Sequence, residues 1–160
     1  QIPTVHEGPN VRKLEQKGIR TMSENHGLFA QDSSRVEKLV NTVNHPNYGA
    51  LVDLGNFLCA DEDTNRAVGV MAPYAFHVHV KDFLCKPGSV TNPGMGWFRT
   101  RGGNYVRGTI VGNGVIPVAQ CVQMLKNAGY EGFLSIEFEG MEDNLTALEA
   151  GLDYLRRVSE

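Results

Sequence analysis

The sequence predicts an α/β fold in which short parallel strands alternate with amphipathic helices, enough for about half of an eight-stranded barrel. Four apolar segments, Ile19–Glu24, Ala50–Asp53, Phe76–His79 and Phe133–Glu137, each end in a carboxylate or an imidazole and run into a polar or glycine-containing loop. Helical stretches separate the strands. The spacing agrees with repeated βα units: 29 residues from Glu24 to Asp53, 26 from Asp53 to His79, and 58, about two periods, from His79 to Glu137. Donors at equivalent strand ends fall on one rim of a parallel sheet, where α/β barrels keep their chemistry.

The elements follow in order. Val36, Leu39, Val40 and Val43 recur at helical spacing, with Asp32 or Ser33 able to cap the start and Pro46 forbidding continuation. A weaker helix runs from about Thr64 to Met71, closed by Pro73. The stretch from Asp82 to Gly114 is rich in Gly, Pro, Asn and Arg and reads as one long active-site loop. Pro117 suits the first turn of a helix carrying Val118, Cys121, Val122 and Leu125 on one stripe, with Gly129 as its C-terminal cap. The last helix starts near Asp143, carries Leu145, Leu148, Leu152 and Leu155, and places Arg156 and Arg157 at its negative dipole end. His6-Glu7-Gly8-Pro9 is read as loop.

At 160 residues and 41% apolar composition, the chain is expected to form one domain over 1–160. A net charge of −3 with scattered basic residues gives no electrostatic reason to expect nucleic acid. No apolar run approaches the roughly 20 residues that cross a bilayer. Gln1 to Asn10 shows no signal-peptide pattern. Cys59, Cys85 and Cys121 are odd in number and widely spaced, which favours a reducing cytoplasm, with Cys121 a small buried hydrophobe. Half a barrel alone leaves two parallel edges unpaired. The chain is therefore expected to be the C-terminal half of a longer protein, to associate with the missing half, or to form a homo-oligomer.

Strand parity sharpens the chemistry. In Tyr74–Asp82, His77, His79 and Lys81 share one face and Phe76, Val78 and Val80 the other. In Gly132–Glu139, Ser135, Glu137 and Glu139 oppose Leu134, Ile136 and Phe138. Such polar faces are costly in a dry core unless paired or metal-bound. Taken singly, each residue has an ordinary role: Asp53 a helix cap, His77 or His79 a hydrogen-bonded imidazole, Glu139 a surface charge. Together, three carboxylates and one imidazole suit one divalent ion, Mn²⁺ first, with Mg²⁺, Co²⁺ or Zn²⁺ as alternatives.

Glu24-Asn-His-Gly27, Asp53-Leu-Gly-Asn56, His77-Val-His-Val-Lys-Asp82, Gly112-Asn-Gly114 and Gly129-Tyr-Glu-Gly-Phe-Leu-Ser-Ile-Glu137 stand in this order along the chain. They resemble the sugar phosphate isomerase/epimerase family with the xylose-isomerase-like TIM barrel, over nearly the whole chain after about Val11. The resemblance implies a (β/α)8 barrel of which this chain supplies about the last four βα units. It implies one divalent metal held by Glu24, Asp53, His79 and Glu137, with Glu139 as the alternative to the last. Two departures stand out. Asn56 occupies a position where many sugar epimerases of this kind carry histidine, and the first four strands are absent from the sequence.

The expected activity is that of a metal-dependent isomerase or epimerase acting on a ketose or keto-polyol. A metal-stabilised enediolate would form as Glu24 and Glu137 act as acid and base on its two faces. Candidate substrate contacts are His26, Asn56, His77, Lys81 and Arg107, with Arg99 and Arg101 available to a phosphate or anionic tail. Gly112-Asn-Gly114, before a helix, is a place suited to oxyanions. Trp97 and Phe98 can stack on a sugar face or close a lid. Rival readings on the same scaffold are a keto-inositol dehydratase, a C-glycoside deglycosylase subunit and a non-catalytic half-barrel assembly subunit. An abasic-site endonuclease would need more histidines and a basic face.

Overall fold

The computed structural model describes residues 9–160, so His6, Glu7 and Gly8 of the stretch read as loop lie outside the described residues. Four parallel strands form the central sheet: β1 (Thr21–Glu24), β2 (Tyr48–Asp53), β3 (Ala75–Val80) and β7 (Leu134–Ile136), in the order β1-β2-β3-β7. The helices α2 (Ser33–Val43), α4 (Thr64–Met71), α5 (Val118–Asn127) and α6 (Asn144–Ser159) pack beside it. A first helix, α1 (Pro9–Glu15), precedes the sheet. A six-residue helix, α3 (Leu54–Cys59), directly follows β2.

The core includes most of the apolar positions expected from periodicity in α2, β3 and α5. Val36 and Val40 of α2, Ala67, Val68 and Met71 of α4, and Val118, Cys121, Val122 and Leu125 of α5 meet Ala50, Val52, Val78 and Val80 of the sheet. Helix starts are fixed by carboxylate caps: Asp32 accepts from the Arg35 amide, Asp63 from Arg66 and Asp143 from Thr146. Asn44 ends α2 in the left-handed conformation at φ 46°, and Gly129 follows α5 at φ +80°. Pro117 sits one position earlier than expected, at the N-cap of α5.

The leucine stripe expected to bury α6 is largely exposed. Leu145, Leu148 and Leu152 are 74%, 40% and 43% exposed, whereas Ala147, Gly151 and Leu155 are buried. Small residues bring this helix close to the sheet: a Cβ on Gly151 would stand 3.3 Å from Ile136 and 3.4 Å from Val111. Leu145, Leu148 and Leu152 are left exposed on a helix packed at β7, the last strand of the four-stranded sheet.

The segment expected as one long loop carries its own secondary structure. β4 (Asp82–Lys86), β5 (Phe98–Arg99) and β6 (Tyr105–Thr109) form an antiparallel sheet in the order β4-β6-β5. Phe83 and Val106 are buried on one face of it, and Tyr105 is buried on the other. The hairpin tip docks on the main body: the Asp61 carboxylate accepts from the Thr100 hydroxyl (2.6 Å), the Asn104 amide group (2.8 Å) and the Gly102 backbone amide. The Arg101 amide donates to the Cys59 carbonyl at 2.9 Å.

Candidate metal centre

Parallel pairing carries four side chains to one place. Asp53 lies beside His79 in the β2–β3 register, and Glu24 pairs with Leu51 in β1–β2. The ladder continues past β7 through the Glu137 amide, which donates to the Val80 carbonyl at 3.1 Å. One donor atom from each of Glu24, Asp53, His79 and Glu137 lies within 4.8 Å of the others. His79 Nδ1 stands 2.9 Å from Glu137 Oε2, 3.6 Å from Glu24 Oε1 and 3.9 Å from Asp53 Oδ2.

Asp53 shows why this set fits a cation. Its Oδ1 caps α3, accepting from the Gly55 and Asn56 amides at 2.8 and 3.0 Å. Its Oδ2 is buried and makes no hydrogen bond, with the Lys81 ammonium 3.4 Å away, and is one of the clustered donor atoms. Leaving such an atom unsatisfied is costly, and a divalent ion would satisfy it. Burial pushes the Asp53 carboxyl up to about 7, opposed by the Lys81 ammonium and reinforced by the nearby Glu137 carboxylate. Partial burial works to raise Glu137, but its neighbours Asp53, Lys81 and His79 outweigh this and hold it below the ordinary carboxylate value. Three oxygens and one imidazole nitrogen make a hard-to-borderline donor set, matched to a divalent ion rather than to a thiolate zinc site.

A cleft of about 280 Å³ opens beside the cluster. His26, Asn56 and Lys81 line it, together with Gln31, Phe83, Phe98, Arg99 and Arg101. His26 Nδ1 is 3.6 Å from Glu24 Oε2, and Asn56 Nδ2 is 3.5 Å from Glu24 Oε1. Lys81 is buried, its ammonium 3.4 Å from Asp53, 3.3 Å from Glu137 and 3.2 Å from Glu139. Burial alone would lower its pKa, but these three carboxylates outweigh that and raise it. Glu139 thus serves Lys81 and stands outside the four-donor group.

Other candidates are placed elsewhere. His77 shares a hydrogen bond of 2.9 Å with Ser135 and does not line the cleft; burial, then the neighbouring His79, lowers its pKa. Arg107 also lies off the cleft, its guanidinium 5.7 Å over the Trp97 ring. The Gly112–Gly114 turn is filled from within. Asp82 Oδ2 accepts from the Gly112 and Gly114 amides at 2.9 and 2.8 Å, and Oδ1 from Ile116 at 3.0 Å. Phe98 forms an edge-on wall with Phe83, ring centres 5.8 Å apart. Cys59 lines the cleft, but burial pushes its thiol up to about 12, which leaves it unreactive near neutral pH.

Sequence reasoning passed over Asn25. It is buried, and its amide binds both the carbonyl and the N–H of Asp53, at 2.8 and 2.7 Å. The available signal was an amide side chain directly after a strand-end ligand. Gln31 and Thr100 left no comparable trace.

Inosose dehydratase of Bacillus thuringiensis (strain Al Hakam) is 24% identical over 128 residues, covering 78% of this chain and 42% of that protein. A xylose isomerase-like TIM barrel protein from Mycobacterium smegmatis, solved in complex with magnesium, superposes with a TM-score of 0.73 at 20% identity, over 93% of this chain and 48% of that one. D-psicose 3-epimerase from Clostridium cellulolyticum H10, solved with D-tagatose, gives 0.66 at 17% identity, over 93% and 52%. The chain thus spans less than half the length of the curated relative it matches. Matching over residues 9–158, this chain belongs to the family of the xylose isomerase-like TIM barrel.

Proposed function

We propose that the chain contributes the metal-binding half of an enzyme that moves a proton on the carbon next to the carbonyl of a ketose or keto-polyol, as an isomerase or epimerase. The observation that carries this reading is the convergence of Glu24, Asp53, His79 and Glu137 at neighbouring strand ends. These four residues would hold the ion, with Mn²⁺ the first to test and Mg²⁺, Co²⁺ or Zn²⁺ as alternatives. Bound there, a divalent ion supplies Lewis acidity that makes the adjacent C–H acidic. Glu24 ends β1 and Glu137 directly follows β7, the two outer strands of the sheet. One takes the proton and the other returns it. Lys81 stabilises Glu137 as a carboxylate, the form a base requires. His26 and Asn56, both beside Glu24, orient substrate hydroxyls. The hairpin wall with Phe83 and Phe98 excludes water.

A second reading is favoured by the curated relative: loss of hydroxide after the same proton removal, as a dehydratase of a keto-inositol. The two readings share their first step and differ in product. Completion of the site by a further half-barrel is also proposed. Among the described residues the four-stranded sheet ends at β1 and β7, and these edges with the exposed Leu145, Leu148 and Leu152 support it.

The test is a panel of keto-sugars and a keto-inositol in deuterated water with Mn²⁺, run on this chain and on the completed barrel. Deuterium should enter the carbon next to the carbonyl, and Glu137→Gln should abolish the exchange. Products that differ in mass from the substrate only by the deuterium taken up identify an isomerase or epimerase, and loss of water identifies a dehydratase. Absence of metal-dependent exchange with every substrate would sink both readings.

A further inference from the structure

The two faces of the small antiparallel sheet differ in chemistry. Residues opposite one another on antiparallel strands share a face, and alternate residues along a strand do too. Phe83, Val106 and Phe98 therefore lie on one face, and Phe83 and Phe98 wall the cleft. On the other face, Arg99, Tyr105 and Lys86 form one row across the three strands, and Arg107 and Leu84 belong to the next. Arg99 borders the cleft as a strand residue, but its guanidinium stacks 4.4 Å over the Tyr105 ring on this outer face. Trp97 joins the same face. Its ring centre lies 5.5 Å from the Lys86 ammonium and 5.7 Å from the Arg107 guanidinium.

Three cations thus gather on one face of a chain whose net charge is −3. Among the described residues, no carboxylate forms an ion pair with Lys86, Arg99 or Arg107. Aromatic rings and neutral oxygens hold them instead. Arg99 donates to the Gly103 carbonyl at 2.7 Å and to the Tyr105 hydroxyl at 2.6 Å. The Arg107 side chain has no hydrogen-bond acceptor among the described residues, and its Nε is buried without one. The charge of Arg107 reaches Glu142, whose oxygens are already taken by the Thr109 hydroxyl and the Met141 amide, each at 2.8 Å. A cation–π contact orients a cation without cancelling its charge, and charges placed beforehand cost a ligand less ordering when it binds. With strands about 4.8 Å apart, Arg99 and Lys86 are set about 10 Å from each other on either side of Tyr105, and Arg107 stands about 7 Å further along β6. A ligand with two or more anionic groups matches this spread better than a single oxyanion.

We infer that this outer face binds a small polyanion, a molecule with at least two phosphate or carboxylate groups, held by Lys86, Arg99 and Arg107 beside Trp97. The sheet itself separates this site from the cleft, and the site does not depend on the reaction proposed there.

Trp97 is the only tryptophan of the chain, so its emission reports on this face. Fluorescence titrations in Mg²⁺-containing buffer would compare propane-1,3-diol bisphosphate, the monophosphate of the same diol and tricarballylate, a tricarboxylate. Calorimetry run beside them covers a probe that leaves the emission unchanged. The bisphosphate or the tricarboxylate should bind about tenfold more tightly than the monophosphate, one further charge-assisted pair being worth roughly that much. The probe that gains more identifies phosphate or carboxylate as the preferred group. Lys86→Gln and Arg107→Gln should each weaken that binding about tenfold, and Arg107→Lys should keep part of it. Lys86 is exposed, so Lys86→Gln decides the matter if Arg107→Gln fails to fold. His26→Ala, in the cleft, should leave the binding unchanged. No binding of any probe, equal affinity for the monovalent and multivalent probes, or unchanged affinity in Lys86→Gln would overturn the inference. So would a loss in His26→Ala that matches the loss in Lys86→Gln, which would put the anion in the cleft.

Discussion

The side-chain amide of Asn25 binds the peptide unit of Asp53 as a neighbouring strand would, Nδ2 to the carbonyl at 2.8 Å and the Asp53 amide to Oδ1 at 2.7 Å. β1 ends at Glu24, so this pair replaces the ladder one residue beyond the strand. It fixes the backbone of the most buried candidate ligand, whose Oδ1 is already tied to α3. Asn25→Ala should weaken Mn²⁺ binding about 10–100-fold, the usual effect of removing a partner behind a ligand. Val52→Ala on the same strand serves as control, since it opens a core cavity without touching the pair. Calorimetry should show loss of affinity in the first and mainly loss of thermal stability in the second. Equal affinity in both variants would reduce Asn25 to a packing role.

Asp53 should make the metal-free protein less stable as pH rises. An unfolded aspartate ionises at about 3.9, whereas burial holds the folded carboxyl up at about 7. Between those values the unfolded chain has shed a proton that the folded chain keeps, so its stabilising effect is full below the lower value and lost through the upper one. Asp53→Asn keeps the capping oxygen and removes the titration. In urea unfolding, this variant should gain on the wild type by more than about 1 kcal/mol between pH 4.5 and 8. Saturating Mn²⁺ should reverse the order, because the ion needs the ionised carboxylate. Parallel pH curves for the two metal-free proteins would reject the assignment.

Much of the candidate site was legible because strand parity is rigid. Once His79 points inward, His77 and Lys81 must share its face, and Asp53 and Glu137 follow from parallel register. The buried faces were legible where helical periodicity matched the packing, as in α2 and α5, and not in α6, whose leucine stripe is exposed. Short-range pattern failed for the 82–114 segment, where strands of five, two and five residues are held by tertiary contacts. Tyr105 and Val106 alternate with too few neighbours to announce a strand. Asn25 was illegible for a different reason: its partner lies 28 residues away, and only the fold brings them together.

The outward leucines of α6 supply a test of the exposed face. In the isolated chain, replacing Leu145 and Leu152 by lysine should change stability by no more than about 0.5 kcal/mol, as for other surface positions. Leu155, 4% exposed on the same helix, should cost about 2–5 kcal/mol when cut to alanine. If a further half-barrel covers the leucines, the lysine variant should lose association with it while folding normally on its own. Size-exclusion chromatography with the complementary half would read this directly. A large loss of stability from the double lysine variant in the isolated chain would show that the stripe packs internally.

Asp82 holds a whole segment through one side chain. Its carboxylate accepts four backbone N–H groups, from Phe83, Gly112, Gly114 and Ile116. Those bonds tie the start of β4 to the turn that leads into α5. Asp82→Asn would turn a donor group toward amides that need an acceptor, leaving buried N–H groups unpaired at about 1–3 kcal/mol each. A total loss of about 3 kcal/mol is expected in denaturant unfolding, with accelerated amide exchange confined to residues 110–116. Gly114→Ala should act similarly, because a Cβ there would collide with the Asp82 carboxylate and the Phe83 carbonyl. Mn²⁺ affinity should change little in either variant, since Asp82 belongs to no part of the four-donor cluster. A selective loss of metal binding at unchanged stability would instead place Asp82 in the metal centre, contrary to the hydrogen bonds that occupy both its oxygens.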